Sequence, residues 1–215
     1  MRLLTRLSDS TFVGAWLRDP RPIHKRAMII GLAYLLVLAS VPLFRGRLTA
    51  LADLPLRKPA FALAAIAIQI LVISVLPTGD HTFHTTAHLA SYVLLGAFAW
   101  VNRGIFGVPI IALGGLLNFI AIASNGGVMP TDPDAGASLA RALPEGEFAN
   151  SQVIENARFA FLGDVFATPA SWPLHNVFSI GDGILLLGVF VLVHVACGSR
   201  LVPRRLMARR AAVAA

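Results

Sequence analysis

His81, His84 and His88 stand three and four residues apart. On a helix this spacing sets three imidazoles along one face. Neutral imidazole is a common metal ligand. Two histidines one turn apart can hold zinc or copper, with Asp80 or His175 to complete the shell. A haem iron could take one of them as an axial ligand. The cofactor this face implies is a metal ion or haem. The plainer alternative is that these rings donate to backbone or headgroups at a helix end.

A second candidate is the run Leu116–Pro130, an apolar stretch that stops at Asn125-Gly126-Gly127 and continues through Met129-Pro130. Asparagine and glycine tolerate the left-handed backbone that closes a helix, and a proline soon after is usual. The same glycine-rich turn could offer backbone groups to a ligand or ion. Asn118 lies two turns inside the apolar run, where an unpaired amide costs free energy. Gln69 is a possible partner for it across helices.

Ser179-Ile180-Gly181-Asp182 matches a capping box with the acid in the fourth position. Its carboxylate also favours the positive end of the helix dipole. Asp164 repeats the Gly-Asp pair at Gly163, and no cap accounts for it. Gly114-Gly115 allows another helix to come close. The chain has no serine-nucleophile, Cys–His or HExxH pattern, so no catalytic residue is assigned.

The elements that must position these residues follow from composition. The chain has 215 residues, of which 56% are hydrophobic and only 13% charged. A soluble domain usually carries about 25% charged residues. Five apolar runs, near Ala27–Phe44, Ala60–Pro77, Thr85–Val101, Ile105–Ser124 and Val177–Ala196, predict helices of about membrane length. The expected fold is an all-α integral membrane protein with about five transmembrane helices. Short re-entrant or interfacial helices, at Ser138–Leu143 and Ser151–Leu162, are expected between the fourth and fifth. The chain divides into a basic arm (1–26), a helical membrane domain (27–199) and a basic tail (200–215).

The net charge is +7, with arginine at both ends and in short loops beside apolar runs. That placement suits anionic headgroups rather than nucleic acid. Cys197 is the only cysteine, so no internal disulfide is possible. The expected partners are the lipid bilayer and another membrane protein or a second copy. The expected location is the bacterial inner membrane, crossed several times.

Five pieces together carry a family resemblance: Gly46-Arg47-Leu48, Leu51-Ala52-Asp53-Leu54, Leu117-Asn118 with Asn125–Pro130, Phe161-Leu162-Gly163-Asp164, and Ser179–Asp182. Over residues 28 to 196 the chain resembles a bacterial membrane family catalogued as domain of unknown function 5317. The resemblance implies a helical inner-membrane protein and supplies no activity. Members begin close to the first span, so the basic arm departs from the pattern, and His81 and His84 are not part of it. The expected function is a non-enzymatic component that binds a partner or small ligand at one face. The alternatives are a metal- or haem-binding protein using the histidine face, and an oligomeric small transporter or channel.

Overall fold

A computed structural model describes residues 22–76, 80–136, 151–169 and 176–203. Helices form at all five apolar runs. They are α1 (Pro22–Leu43), α2 (Pro59–Ile70), α3 (His81–Val101), α4 (Val108–Ser124) and, after the one-turn α5 (Pro133–Gly136), α6 (Ile180–Ala196). Helix α2 widens into a π-helical turn, Leu71–Val75. Each start has a local cause. Pro59 and Pro109 occupy first-turn positions where a missing N–H costs nothing. The Asp80 carboxylate accepts from Thr82 N at 2.8 Å and caps α3. Ser179 and Asp182 form the expected capping box on α6.

The centre of the fold is the antiparallel pair α4 and α6. Gly107 and Gly114 on one side meet Gly181 and Gly188 on the other, with the same seven-residue spacing on both sides. A β-carbon at Gly107 would lie 2.6 Å from Gly188 O, and one at Gly114 would lie 2.6 Å from Gly181 O. The two backbones therefore touch, which leaves no room for a side chain at these four positions. Val41 of α1 packs on Val193 and Cys197 at the far end of α6. Ala121, Ile122, Met129 and Leu162 form a second apolar cluster at the other end of α4.

Two asparagines tie loops to helix ends in the same way. Asn102, after α3, accepts from Arg57 N at 2.7 Å and donates to Arg57 O at 2.8 Å and to Phe98 O at 2.8 Å. Asn125, after α4, accepts from Arg158 N at 2.9 Å and donates to Arg158 O and Ala121 O, each at 2.7 Å. In each case the amide pairs with a distant residue as a neighbouring strand would. The residue after that partner, Lys58 or Phe159, has a positive φ. The chain thus reverses where it is held.

Several expectations are corrected. No helix among the described residues is both long enough and apolar enough to cross a membrane. A crossing needs about 20 apolar residues. Helices α4 and α6 have 17 residues each and α2 has 12 before its π turn. The sequence of α1, 22 residues long, opens with His24, Lys25 and Arg26 and carries Pro42 near its end, and the 21-residue α3 spends its first half on His81, Thr82, His84, Thr85, Thr86, His88 and Ser91. The integral membrane fold with five transmembrane helices, and the membrane and transmembrane character drawn from it, are therefore not supported.

The short helices expected after α4 are also replaced. Ser151–Gln152 is a strand (β2) paired in parallel with Met129–Pro130 (β1). Residues Ala160–Leu162 form only a 3-10 turn, because Phe159 adopts a left-handed backbone that ends any longer helix. Strands Phe166–Ala167 (β3) and Val177–Phe178 (β4) pair antiparallel. Ser138–Leu143, the arm to residue 21 and the tail from 204 lie outside the described residues.

Candidate functional site

The sequence motifs meet at the end of the helices where α4 stops and α3 and α6 begin. Gly126 and Gly127 have φ of 69° and 87°, the left-handed turn expected after Asn125. The turn then lies across the first two turns of α3. A β-carbon on Gly127 would strike the Thr85 side chain. The Thr85 hydroxyl donates to Gly126 O at 3.2 Å, and His88 Nδ1 lies 3.3 Å from Gly127 O.

The three histidines do share a face of α3, but their environments differ. His81 is exposed, whereas His84 and His88 are buried. His84 Nδ1 is 2.7 Å from Asp80 O and its Nε2 is 2.5 Å from Leu76 O. A carbonyl only accepts, so this geometry favours the ring with both nitrogens protonated. These two carbonyls raise its pKa, most of all that of Asp80, with Asp80's charge helping. Burial does the opposite to His88 and lowers its pKa, partly offset by Gly127 O. A ring with both nitrogens protonated has no lone pair for a metal. Among the described residues no three His, Cys, Asp or Glu side chains are grouped to hold a metal ion.

Asn118 is buried against the start of α6. The Ser179 hydroxyl donates to Asn118 Oδ1 at 2.9 Å, and Asn118 Nδ2 donates to Asp182 Oδ1 at 2.8 Å. Asp182 N donates to Ser179 Oγ at 3.0 Å, and Ser179 N to Asp182 Oδ2 at 3.1 Å. Three side chains thereby close a ring around the capping box. Gly181 makes it possible, since a β-carbon there would collide with Asn118 Oδ1. Gln69 is not the partner of Asn118. It donates to Ser91 Oγ at 2.9 Å instead.

Asp164, which no cap explained, is a buried pin between loop segments. Its N–H donates to Pro130 O at 2.9 Å, and its carbonyl accepts from Asp132 N at 3.2 Å. Its carboxylate accepts a short 2.5 Å bond from the Ser151 hydroxyl, which lies 3.0 Å from Thr131 Oγ1. Gly163 is required beside it because a β-carbon would strike Pro130 O. Met129, in turn, seats the β1 segment in the apolar cluster with Leu162.

Tyr92 packs against the Ala121/Ile122/Met129/Leu162 cluster and was not singled out from the sequence. Its ring packs on His88 at 5.5 Å and Phe119 at 5.8 Å. Burial raises its pKa well above the ordinary tyrosine value, and the nearby charges of Asp182 and then Asp164 add to this. Its position one turn beyond His88 on the same helix face was the available signal. Thr131 and Ser151 were also missed, and their types carry no pattern of their own.

Beside this framework is an open depression of about 430 Å³, lined by Pro130, Thr131, Asp132, Ile154, Ala157 and Phe161 among others. Asn125 holds one wall through Arg158. Asn125 and Asp164 therefore tie together the segments that form its rim. Asp164 beside it accepts from the Ser151 hydroxyl, while Asp182 belongs to the separate ring around Asn118.

The family of unknown function DUF5317 matches residues 53–194. An uncharacterized protein of Thermotoga maritima is 31% identical over 101 residues, which is 47% of this chain and 58% of that protein. The chain thus spans little more than half the length of that curated relative. No solved structure matches the chain.

Proposed function

We propose that this chain, which belongs to the family of unknown function DUF5317, is a non-enzymatic component that binds a ligand or a partner's side chain at the Pro130–Val165 depression. One observation carries this reading. Asp164, Ser151 and Thr131 are engaged with one another, and Asn125 with the Arg158 backbone, and together they brace a concave surface they do not fill. Binding sites are commonly concave, mainly apolar and largely preformed, with a few polar groups for orientation. The lining suits a compact, mostly apolar group, with Thr131, Asp132 and Asn156 available for orientation.

The test is a substitution that fills the depression without touching its frame. Ala157 is half-buried in the lining. Ala157→Trp should abolish retention of the bound species, read by native mass spectrometry of the full-length protein. Its unfolding temperature should stay within a few degrees of the parent. Retention of the same species by this variant would refute the assignment to the depression.

A further inference from the structure

The opposite end of the molecule carries a different surface. There the end of α1, the start of α2, the end of α3 and the end of α6 lie together. Arg47 N donates to Cys197 O at 2.9 Å and Arg200 N to Phe44 O at 3.0 Å, which joins α1 to α6. Asn102 joins the Arg57 loop to the end of α3. Gly107 joins that corner to Leu192 of α6. Six cations are exposed on this end: Arg45, Arg47, Arg57, Lys58, Arg103 and Arg200. Asp53 is the sole acid described there. Arg45 and Lys58 have φ of 59° and 55°, so the backbone turns sharply at both of these cations.

Large apolar side chains are exposed among these charges. Leu43, Phe44, Leu48, Leu56, Trp100 and Leu201 are all at least 36% exposed, and Leu43 and Trp100 reach 76% and 68%. Arg103 lies 4.4 Å over the Trp100 ring and donates to Trp100 O at 2.8 Å. Beyond Pro203 the sequence continues into Arg204, Arg205, Arg209 and Arg210, outside the described residues.

We infer that this end docks on an anionic lipid surface, with the cations against phosphate headgroups and the leucines and Trp100 among the upper acyl chains. Charge sign and apolar interleaving together select this partner. Cations alone would suit any polyanion. Exposed leucines beside an arginine-capped tryptophan suit a boundary between polar and apolar phases. Duplex nucleic acid offers no apolar phase to receive Leu43 or Leu48. The inference asks only for surface contact and for no helix that crosses. It is independent of the depression, which lies at the other end.

The experiment is flotation of the full-length protein with vesicles of phosphatidylcholine, with and without phosphatidylglycerol. Binding should require phosphatidylglycerol. It should fall steeply between about 0.1 M and about 1 M salt, where the screening length drops from about 10 Å to about 3 Å. Each surface cation removed should weaken binding roughly fivefold. Arg45→Gln/Arg47→Gln/Arg57→Gln/Arg200→Gln should therefore lose about 600-fold while melting like the parent. Leu48→Ser/Leu56→Ser should weaken binding at high salt as well as low. Equal binding to phosphatidylcholine alone, or unchanged binding by the fourfold variant, would overturn the inference. So would tighter binding to a DNA duplex than to the anionic vesicles.

Discussion

Gly181→Ala and Gly183→Ala make the same chemical change two residues apart in the first turn of α6. Neither glycine has a positive φ, so the backbone admits alanine at both. At Gly183 the new methyl meets nothing within 4 Å. The expected effect there is the ordinary helical preference for alanine, a gain of about 0.5–1 kcal/mol. At Gly181 the methyl would collide with Asn118 Oδ1 and lie 2.6 Å from Asn118 Cγ and 2.8 Å from Gly114 O. Either the helices part or Asn118 swings away. Overpacking costs about 1–3 kcal/mol. Stranding a buried amide and hydroxyl costs about 1–3 kcal/mol more. Against the helical gain, the middles of these ranges leave a net loss of about 3 kcal/mol. For a chain of this size that is a fall of roughly 5–15 °C in the midpoint of thermal unfolding. Gly183→Ala should instead rise by a few degrees. Circular dichroism of the two purified variants reads both shifts. Equal midpoints, or a Gly181→Ala more stable than Gly183→Ala, would refute the close-packed ring around Asn118.

Three further outcomes follow from named contacts. Asn125→Asp cannot donate to Arg158 O or Ala121 O, so amide hydrogen exchange over residues 156–162 should quicken by about tenfold or more, from loss of about 1.5–3 kcal/mol of local protection; unchanged exchange would mean that Asn125 does not hold the wall. His84 and His88 should titrate on opposite sides of the ordinary value near pH 6.5, His84 above and His88 below, in an NMR titration of the ring protons. For His84 the folded pKa is the raised one, so its stabilising contribution is complete below about pH 6.5 and is lost as pH rises through the folded value. His88 has the reverse sign: stability falls as pH drops through its unfolded value near 6.5. Matching titrations would contradict the two ring environments. Ser151→Ala should leave the buried Asp164 carboxylate short of a donor and destabilise by about 2 kcal/mol, seen in the denaturant midpoint, whereas Thr82→Ala on the exposed first turn of α3 should change little.

Much of the framework could be read in the sequence, for physical reasons. The capping box at Ser179–Asp182 is local chemistry written in four adjacent residues, and it formed. The left-handed turn at Gly126-Gly127 needed only its own residue types. The five apolar runs located the helices, because burial pattern and Pro or Gly boundaries are also local. What failed was length and partner. Three apolar runs are longer than the helices they contain, because α2 gives way to a π turn and α4 and α6 stop at 17 residues. The Gly107/Gly114 and Gly181/Gly188 pairing needs two helices to be laid together before its spacing means anything. Asn118 could have met Gln69 at a similar position in another helix, and only the fold directs it to Asp182. Asp164 and Tyr92 acquire their roles from loops and helices far apart in the chain, and no single window of sequence contains those neighbours.

The central claim is that the segments held by Asn125 and Asp164 form a binding depression at one end of the helices. Native mass spectrometry of the full-length protein beside Ala157→Trp tests it most directly. A bound mass carried by the parent and absent from an equally stable Ala157→Trp is the result expected. A bound mass shared by both, or none on the parent, would contradict the claim.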